Sequence, residues 1–137
     1  MKNSILWVVV VAVVAGGYWW YATQDSAQTE DTSLAIAGTW RSIDDSAFVR
    51  ELRPDGTFAD WHGGEMVDDG TWGVFSKKNA PETSFPVEEN AVYLQLTTEH
   101  DHVDVMSFKV SKHTAEELEL VYMERGGVLK FMRVESR

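Results

Sequence analysis

The segment Glu117–Glu135, ELELVYMERGGVLKFMRVE, decides the fold class of this chain. Apolar side chains at every second position from Leu118 to Tyr122 alternate with glutamates, the pattern of a strand with one buried and one solvated face. Gly126 and Gly127 then supply the backbone freedom of a tight turn and favour a two-residue hairpin. The segment therefore predicts two antiparallel strands, Glu117–Glu124 and Val128–Glu135.

The residues before this hairpin carry the same pattern. Short runs rich in β-branched and aromatic residues alternate with turn signals such as Pro54-Asp55-Gly56, Gly63-Gly64 and Asp69-Gly70. No apolar stripe with helical spacing follows Leu34. Six further strands are predicted, at residues 37–43, 47–53, 57–62, 71–75, 91–98 and 103–111. Eight strands joined by hairpins indicate an all-β domain, an eight-stranded antiparallel up-and-down barrel over residues 37–137, because closure removes the exposed edges.

The N-terminal segment Ile5–Ala22, ILWVVVVAVVAGGYWWYA, carries no charge. Eighteen helical residues span roughly 27 Å, which is close to the thickness of the hydrocarbon layer of a bilayer. The rings of Tyr18–Tyr21 favour the headgroup layer at the outer end. We therefore predict one N-terminal transmembrane helix that anchors the chain in a membrane through Ile5–Ala22, within an anchor region of residues 1–22.

Charge gives this anchor a direction. Lys2 precedes the span and the next Lys or Arg is Arg41, so the positive-inside rule predicts a cytoplasmic N-terminus and an extracytoplasmic domain, periplasmic or at the cell surface. A cleaved signal peptide, cut after Gly17 or Ala22, is the alternative. Residues 23–36 begin with a polar stretch, and we predict that they form a flexible linker.

Composition excludes several classes of function. The chain has no cysteine, so disulfides, thiolate metal sites and a cysteine nucleophile are excluded. Its net charge of −10 argues against nucleic acid as a partner, because phosphate binding needs a clustered basic face. Six Trp, four Tyr and six Phe in 137 residues indicate a well-packed small core or an aromatic-lined pocket.

Short motifs add a family resemblance. Gly38-Thr39-Trp40 opens the first predicted strand and Arg133 lies in the last. This resembles the lipocalin (calycin) pattern, in which a tryptophan at the barrel floor packs against an arginine of the final strand. Arg50–Gly56, RELRPDG, and Gly70–Trp72 resemble small, membrane-anchored bacterial lipocalin-like domains. The resemblance covers residues 37–135 and implies binding of small apolar molecules.

Three residues are candidates for ligand binding. Arg50 shares a predicted face with Phe48 and Leu52, and an inward guanidinium would anchor a ligand carboxylate in an apolar pocket. An outward Arg50, on a reversed or bulged strand, is the alternative. Tyr122 lies on the apolar face of its strand, where its hydroxyl could meet a ligand or belong to the core. Trp61 is the third candidate, as part of an aromatic-lined pocket.

Metal and catalytic sites are not predicted. His100, His102 and Asp104 are metal-ligand types at suitable spacing, but the segment Glu99–Asp104 falls at a predicted hairpin turn, where polar residues are expected anyway. We find no nucleophile–base pair, no paired-carboxylate motif and no phosphate-binding loop. The sequence therefore predicts no cofactor and no enzyme.

Two functions remain. The first is a membrane-anchored extracytoplasmic lipocalin-like binding module for a small apolar or amphipathic ligand. The alternative is an accessory or assembly subunit of a membrane complex, with a filled barrel core and a membrane protein as partner. Gly16 and Gly17 would then allow close approach of a second helix.

Overall fold

A computed structural model of the chain describes residue 29 and residues 31–135. Eight strands form a closed antiparallel barrel in which each strand pairs with the next and β1 pairs with β8. This confirms the eight-stranded antiparallel barrel, and the architecture is compatible with a lipocalin-like fold. The strands are β1 (Gly38–Ser42), β2 (Phe48–Leu52), β3 (Thr57–His62), β4 (Glu65–Phe75), β5 (Tyr93–Glu99), β6 (Val103–His113), β7 (Glu117–Tyr122) and β8 (Val128–Val134).

The two ends of the barrel differ in how they are closed. We call the end at which β1 begins the floor and the end at which β1 finishes the mouth. The connections at the mouth are short: 43–47, 63–64, 100–102 and 123–127. The floor carries a short helix at residues 31–36, two turns and the long connection 76–92, which includes a 3₁₀ turn at Lys77–Asn79.

Strand β4 begins earlier than the sequence predicts. It starts at Glu65, directly after the Gly63-Gly64 turn, and Asp69-Gly70 lies inside the strand rather than at its start. Gly70 pairs with Phe58, and a Cβ placed there would lie 2.0 Å from the carbonyl oxygen of Thr97. Glycine is therefore needed at position 70 so that the backbones of β4 and β5 can approach closely. From the sequence alone, this role cannot be distinguished from that of a glycine in a turn.

The β7–β8 connection also differs from the prediction. It is a five-residue loop, 123–127, and not a two-residue hairpin. The Gly126 N–H donates to the Tyr122 carbonyl at 2.8 Å, and the Tyr122 N–H donates to the Gly127 carbonyl at 3.0 Å. Both glycines have positive φ, 76° and 98°. The prediction that these two positions need the backbone freedom of glycine is therefore confirmed, and the predicted loop length is wrong.

The turn between β2 and β3 follows the sequence closely. Gly56 has φ 88°, as expected after Pro54-Asp55. The Asp55 Oδ1 atom accepts hydrogen bonds from the Thr57 hydroxyl at 2.6 Å and from the Thr57 N–H at 2.9 Å. These bonds hold the pKa of the Asp55 carboxyl below its ordinary value.

Trp40 and Arg133 close the floor. The Arg133 guanidinium carbon lies 4.3 Å from the centre of the Trp40 ring, a cation–π contact between the tryptophan and the arginine that the resemblance pairs at the floor. The three nitrogens of this guanidinium donate to three backbone carbonyls: Nε to Ala115 at 2.7 Å, Nη1 to Ala37 at 3.0 Å and Nη2 to Ala35 at 2.6 Å. Arg133 therefore joins β8 to both the entry of β1 and the β6–β7 turn.

The end of the segment predicted as a flexible linker, 23–36, is ordered here. Residues 31–36 are helical, Ile36 is fully buried, and its carbonyl accepts a hydrogen bond from Trp40 Nε1 at 2.8 Å. Burial of the apolar Ile36 side chain and the hydrogen bond from Trp40 stabilise this end of the segment. A purely polar tether has no such contacts. Residues 23–28 and the predicted anchor, 1–22, lie outside the described residues. Among the described residues, no helix is both long enough and apolar enough to cross a membrane.

We expect Arg133→Ala to lower the free energy of unfolding by at least about 2–3 kcal/mol, because one hydrogen bond from a charged donor already contributes about 1.5–3 kcal/mol and the floor carbonyls lose three such bonds. Urea unfolding monitored by tryptophan fluorescence measures this. Lys130→Ala, on the outer face of the same strand, is the matched control and should change stability by no more than about 0.5 kcal/mol. Equal stability of the two variants would contradict the role of Arg133.

Two apolar cores support the barrel. The larger core lies in the interior and includes Trp40, Phe58, Leu94 and Leu120, all fully buried. The smaller core lies on the outer face, where Phe85 and other residues of the 76–92 connection cover Tyr93. Buried side chains thus occupy the floor half of the interior, and Phe48, Met106 and Tyr122 pack against this core on the side of the mouth.

Candidate functional site at the mouth

The inner face becomes more exposed toward the mouth. Phe48, Met106 and Tyr122 are half-buried there, and Leu129 is 37% exposed. Their registers place them on the inner face: Met106 pairs with Leu96, Tyr122 with Phe108, and Leu129 with Leu120. We call the inner-face surface formed by Phe48, Met106, Tyr122 and Leu129 the mouth basin.

Arg50 lies at the base of the mouth basin, in a buried ion pair with Asp60. Arg50 Nε donates to Asp60 Oδ1 at 2.8 Å and Nη2 donates to Oδ2 at 3.0 Å, which is the bidentate arrangement. Arg50 is only 5% exposed and Asp60 only 4%. Arg50 pairs across the sheet with Trp40 and with Asp60, so all three side chains share the inner face. Of the two orientations that the sequence left open for Arg50, the inward one is observed.

Three aromatic rings surround the guanidinium of Arg50. Its central carbon lies 5.5 Å from the ring centre of Phe48, 5.2 Å from that of Phe108 and 5.8 Å from that of Phe131. These contacts are cation–π interactions, stronger where water is excluded. The third nitrogen, Nη1, is buried, and no atom of the described residues accepts a hydrogen bond from it. The base of the basin therefore presents one buried donor among aromatic rings.

The ion pair changes the chemistry expected of Arg50. Asp60 neutralises the guanidinium and occupies its Nε–Nη2 edge, one of the two edges at which a carboxylate can bind in a bidentate pair. Burial of a second carboxylate beside Asp60 would bring two like charges into a site of low polarity. The site is consequently suited to an uncharged acceptor, such as a carbonyl or hydroxyl oxygen, at Nη1.

The three predicted ligand-binding residues do not form one group. Tyr122 is on the inner face, with its ring 5.0 Å from that of Phe108, and thus shares the mouth basin with Arg50. Trp61 pairs with Val49 on the outer face, because it follows the inward Asp60 directly and side chains alternate along a strand. The structure therefore brings Arg50 and Tyr122 together and separates Trp61 from them.

Asp60 was missed as a site residue, although the sequence carries a signal for it. A hairpin centred on Asp55 pairs residues at equal distance on either side of the turn, and Arg50 and Asp60 each lie five positions away. An inward Arg50 therefore implies an inward Asp60 directly across the hairpin. The same argument applied to Trp61 would have assigned it to the face opposite Arg50.

The mouth is acidic. The segments 43–47, 63–69, 99–104 and 123–127 carry nine carboxylates and one Lys or Arg, Arg125. Clustered charge of one sign raises the local concentration of oppositely charged solutes. The mouth therefore favours neutral or cationic molecules over anions. The carboxylates are those of Asp44, Asp45, Glu65, Asp68, Asp69, Glu99, Asp101, Asp104 and Glu124.

One histidine at the mouth lies between two of these carboxylates. His100 Nε2 is 3.1 Å from Asp69 Oδ1 and 3.4 Å from Asp68 Oδ1. The sequence suggested a grouping of His100 with His102 and Asp104. Within the part of the chain that the structure describes, the group with metal-ligand geometry is instead His100 with Asp68 and Asp69 of the neighbouring strand β4.

The concave surfaces of the described residues lie away from the mouth basin. Among the described residues, four of the surface cavities have volumes of about 500, 230, 460 and 300 Å³. The largest lies at the floor end, between Thr32, Ala91 and the end of β6. None of the four is lined by Arg50, Phe108 or Tyr122, so these cavities and the mouth basin are separate features.

No protein-family model matches this chain, and no curated protein and no solved structure matches it.

Proposed function

We propose that this chain is a membrane-anchored, extracytoplasmic, lipocalin-like binding module that holds a small apolar or amphipathic molecule in the mouth basin and catalyses no reaction. The observation that carries the proposal is the buried Nη1 of Arg50, which has no acceptor among the described residues and lies among three phenylalanine rings. A buried donor without an acceptor costs about 1–3 kcal/mol, and a ligand oxygen at this point would recover that energy.

The surroundings of Nη1 define the ligand further. Phe48, Met106 and Tyr122 offer apolar and aromatic contact area, which suits a flat or chain-like apolar body. Asp60 already neutralises Arg50, so the oxygen that reaches Nη1 is best uncharged. The proposed ligand is therefore a neutral or cationic amphipathic molecule, with its apolar part in the basin and an acceptor oxygen near the base.

Lipocalin-like membership is part of the proposal. It is supported by the closed barrel of eight sequentially paired strands and by the Arg133–Trp40 contact at the floor. Membrane anchoring is supported by the uncharged segment Ile5–Ala22 and by the charge distribution around it. Sodium carbonate extraction of membranes, combined with the mass of the purified chain, tests the anchor, and a mass lacking residues 1–17 or 1–22 would refute it.

A neutral fluorescent ketone, 6-propionyl-2-(dimethylamino)naphthalene, tests the basin because it combines an aromatic body with a carbonyl acceptor. We expect a blue-shifted, saturable signal with a fragment that begins at residue 29 and keeps the floor helix and all strands. Phe48→Ala and Tyr122→Ala should each weaken binding about fivefold or more, since loss of an aromatic contact costs about 1 kcal/mol.

The matched control for this experiment is Val105→Ala, which removes an exposed side chain from the outer face of β6. It should leave the affinity for the probe unchanged. Thermal melts of all variants confirm that each is folded at the temperature of the titration. Binding that is absent, or that is weakened equally by Val105→Ala and Phe48→Ala, would contradict a site in the mouth basin.

The alternative function, an accessory subunit of a membrane complex, is favoured by two observations. The floor half of the barrel is filled by side chains, and apolar residues such as Val103, Val128 and Met132 are about half exposed or more. Replacement of Ile5–Ala22 by an unrelated membrane-spanning helix separates the two functions. A binding module should keep its affinity for the probe and its cellular role, whereas a subunit that assembles through its helix should lose the role.

A further inference from the structure

We propose that Asp68, Asp69 and His100 form a binding site for one divalent transition-metal ion at the edge of the mouth. The three residues come from strand β4 and from the β5–β6 turn, which are adjacent in the barrel. Each offers one ligand atom, and these atoms all lie within 4.8 Å of one another. This site is independent of the mouth basin and of any ligand held there.

The separations between ligand atoms fit a shared ion. Two atoms that each bind a metal at about 2.0–2.2 Å are themselves about 3.0–3.5 Å apart for bond angles between square and tetrahedral. The observed separations from His100 Nε2 are 3.1 Å to Asp69 Oδ1 and 3.4 Å to Asp68 Oδ1. These two separations fit a shared ion, and the ligand oxygens of Asp68 and Asp69 lie within 4.8 Å of each other.

The backbone explains why two consecutive aspartates reach one histidine. The β3–β4 register shifts at this point: Asp60 pairs with Asp68, but Trp61 pairs with Met66, so Val67 is an extra residue in β4. Such a bulge bends the strand and redirects the side chains next to it. His100 lies in the β5–β6 turn, at the same end of the barrel as the bulge and beside the redirected carboxylates.

The negative charge around Asp68 and Asp69 favours a divalent cation over a single positive charge. Asp68 and Asp69 are neighbours in sequence, and the mouth segments around them contribute seven further carboxylates against one arginine. A protonated imidazole would bring a single positive charge between the two carboxylates, whereas a divalent ion brings two and needs the imidazole in its neutral form. The acidic mouth also raises the local concentration of any cation.

The ligand types select the class of metal. One imidazole and two carboxylates suit zinc, manganese, iron(II) or cobalt, whereas calcium and magnesium prefer ligand sets made of oxygen alone. Three protein ligands leave positions for water or for a donor atom of another molecule, as in open metal sites. His100 is the residue that distinguishes such a site from a merely acidic surface.

Zinc titration of the full-length, tag-free and metal-stripped chain, by competition with a fluorescent zinc indicator, tests the site. We expect one ion per chain with a micromolar dissociation constant. His100→Ala and Asp69→Asn should each weaken binding at least tenfold. His102→Ala, in the same turn but outside the group, is the matched control and should bind zinc like the unaltered chain.

Three results would overturn the proposal: no zinc bound at 100 µM, unchanged affinity in His100→Ala, or equal losses in His100→Ala and His102→Ala. A parallel titration with calcium adds a further criterion. Calcium bound as tightly as zinc, and equally well by His100→Ala, would show an unspecific acidic surface. Melting curves without metal verify that each variant is folded, so that a loss of zinc binding reports on the ligands.

Discussion

Asp60→Ala should lower the free energy of unfolding by about 3–5 kcal/mol, because removal of one partner of a buried ion pair leaves the other charge buried without compensation. Arg50 is 5% exposed and donates from both Nε and Nη2 to the Asp60 carboxylate, so its charge would lose this partner in a buried site. The total free energy of unfolding of a small domain is about 5–15 kcal/mol. This loss should therefore appear as a large drop in the urea concentration at the midpoint of unfolding.

The double variant Arg50→Met/Asp60→Leu is the informative partner of this experiment. It removes both charges, and replacement of a buried ion pair by apolar side chains is often neutral or stabilising by about 1–4 kcal/mol. We therefore expect the double variant to be more stable than Asp60→Ala and to lose affinity for a ligand with an acceptor oxygen. A double variant as unstable as the single one would show that the pair also determines the packing of the phenylalanine rings around it.

Gly70→Ala should destabilise the barrel by about 3 kcal/mol or more, at the upper end of the usual range for overpacking. The added Cβ would lie 2.0 Å from the Thr97 carbonyl oxygen and 3.0 Å from Phe58 Cε1. The first of these atoms belongs to the backbone of β5, which cannot move away as a side chain can. Strands β4 and β5 would have to separate, with loss of ladder hydrogen bonds.

Gly73→Ala is the matched control, three residues further along β4. A Cβ at this position meets no atom within 4 Å, and alanine costs less backbone entropy in a strand than glycine does. We expect Gly73→Ala to be neutral or to gain up to about 1 kcal/mol. Chemical unfolding of both variants measures the difference, and a Gly70→Ala variant as stable as Gly73→Ala would disprove the close approach between the strands.

The barrel was predictable because its strands alternate. Leu118, Leu120 and Tyr122 assign a face to β7 without any knowledge of its neighbours, and the same is true of β5 and β6. The start of β4 was not predictable in this way, because Met66, Val67 and Asp68 do not alternate across the bulge. There the register with β3 decides the conformation, and that register depends on contacts between strands.

The candidate sites illustrate the same limit. Arg50 could be selected from its own strand, since Phe48 and Leu52 mark its face. The His100 group could not, because Asp68 and Asp69 lie more than thirty positions away in the sequence and meet it only through the β4–β5 pairing and a bulge. Trp61 was chosen for its ring and not for its face, and pairing across the hairpin would have corrected that choice.

The floor contact has a consequence for the order in which this protein matures. Arg133 and its acceptor Ala37 are separated by 96 residues, nearly the whole barrel. During synthesis β1 has one unpaired edge until β8 is available, and contacts of such long sequence separation form slowly. A chain that lacks its last ten residues has neither the closing strand nor the arginine under Trp40. The barrel is therefore completed only when β8 can pair with β1, and chaperones would meet an open sheet until then.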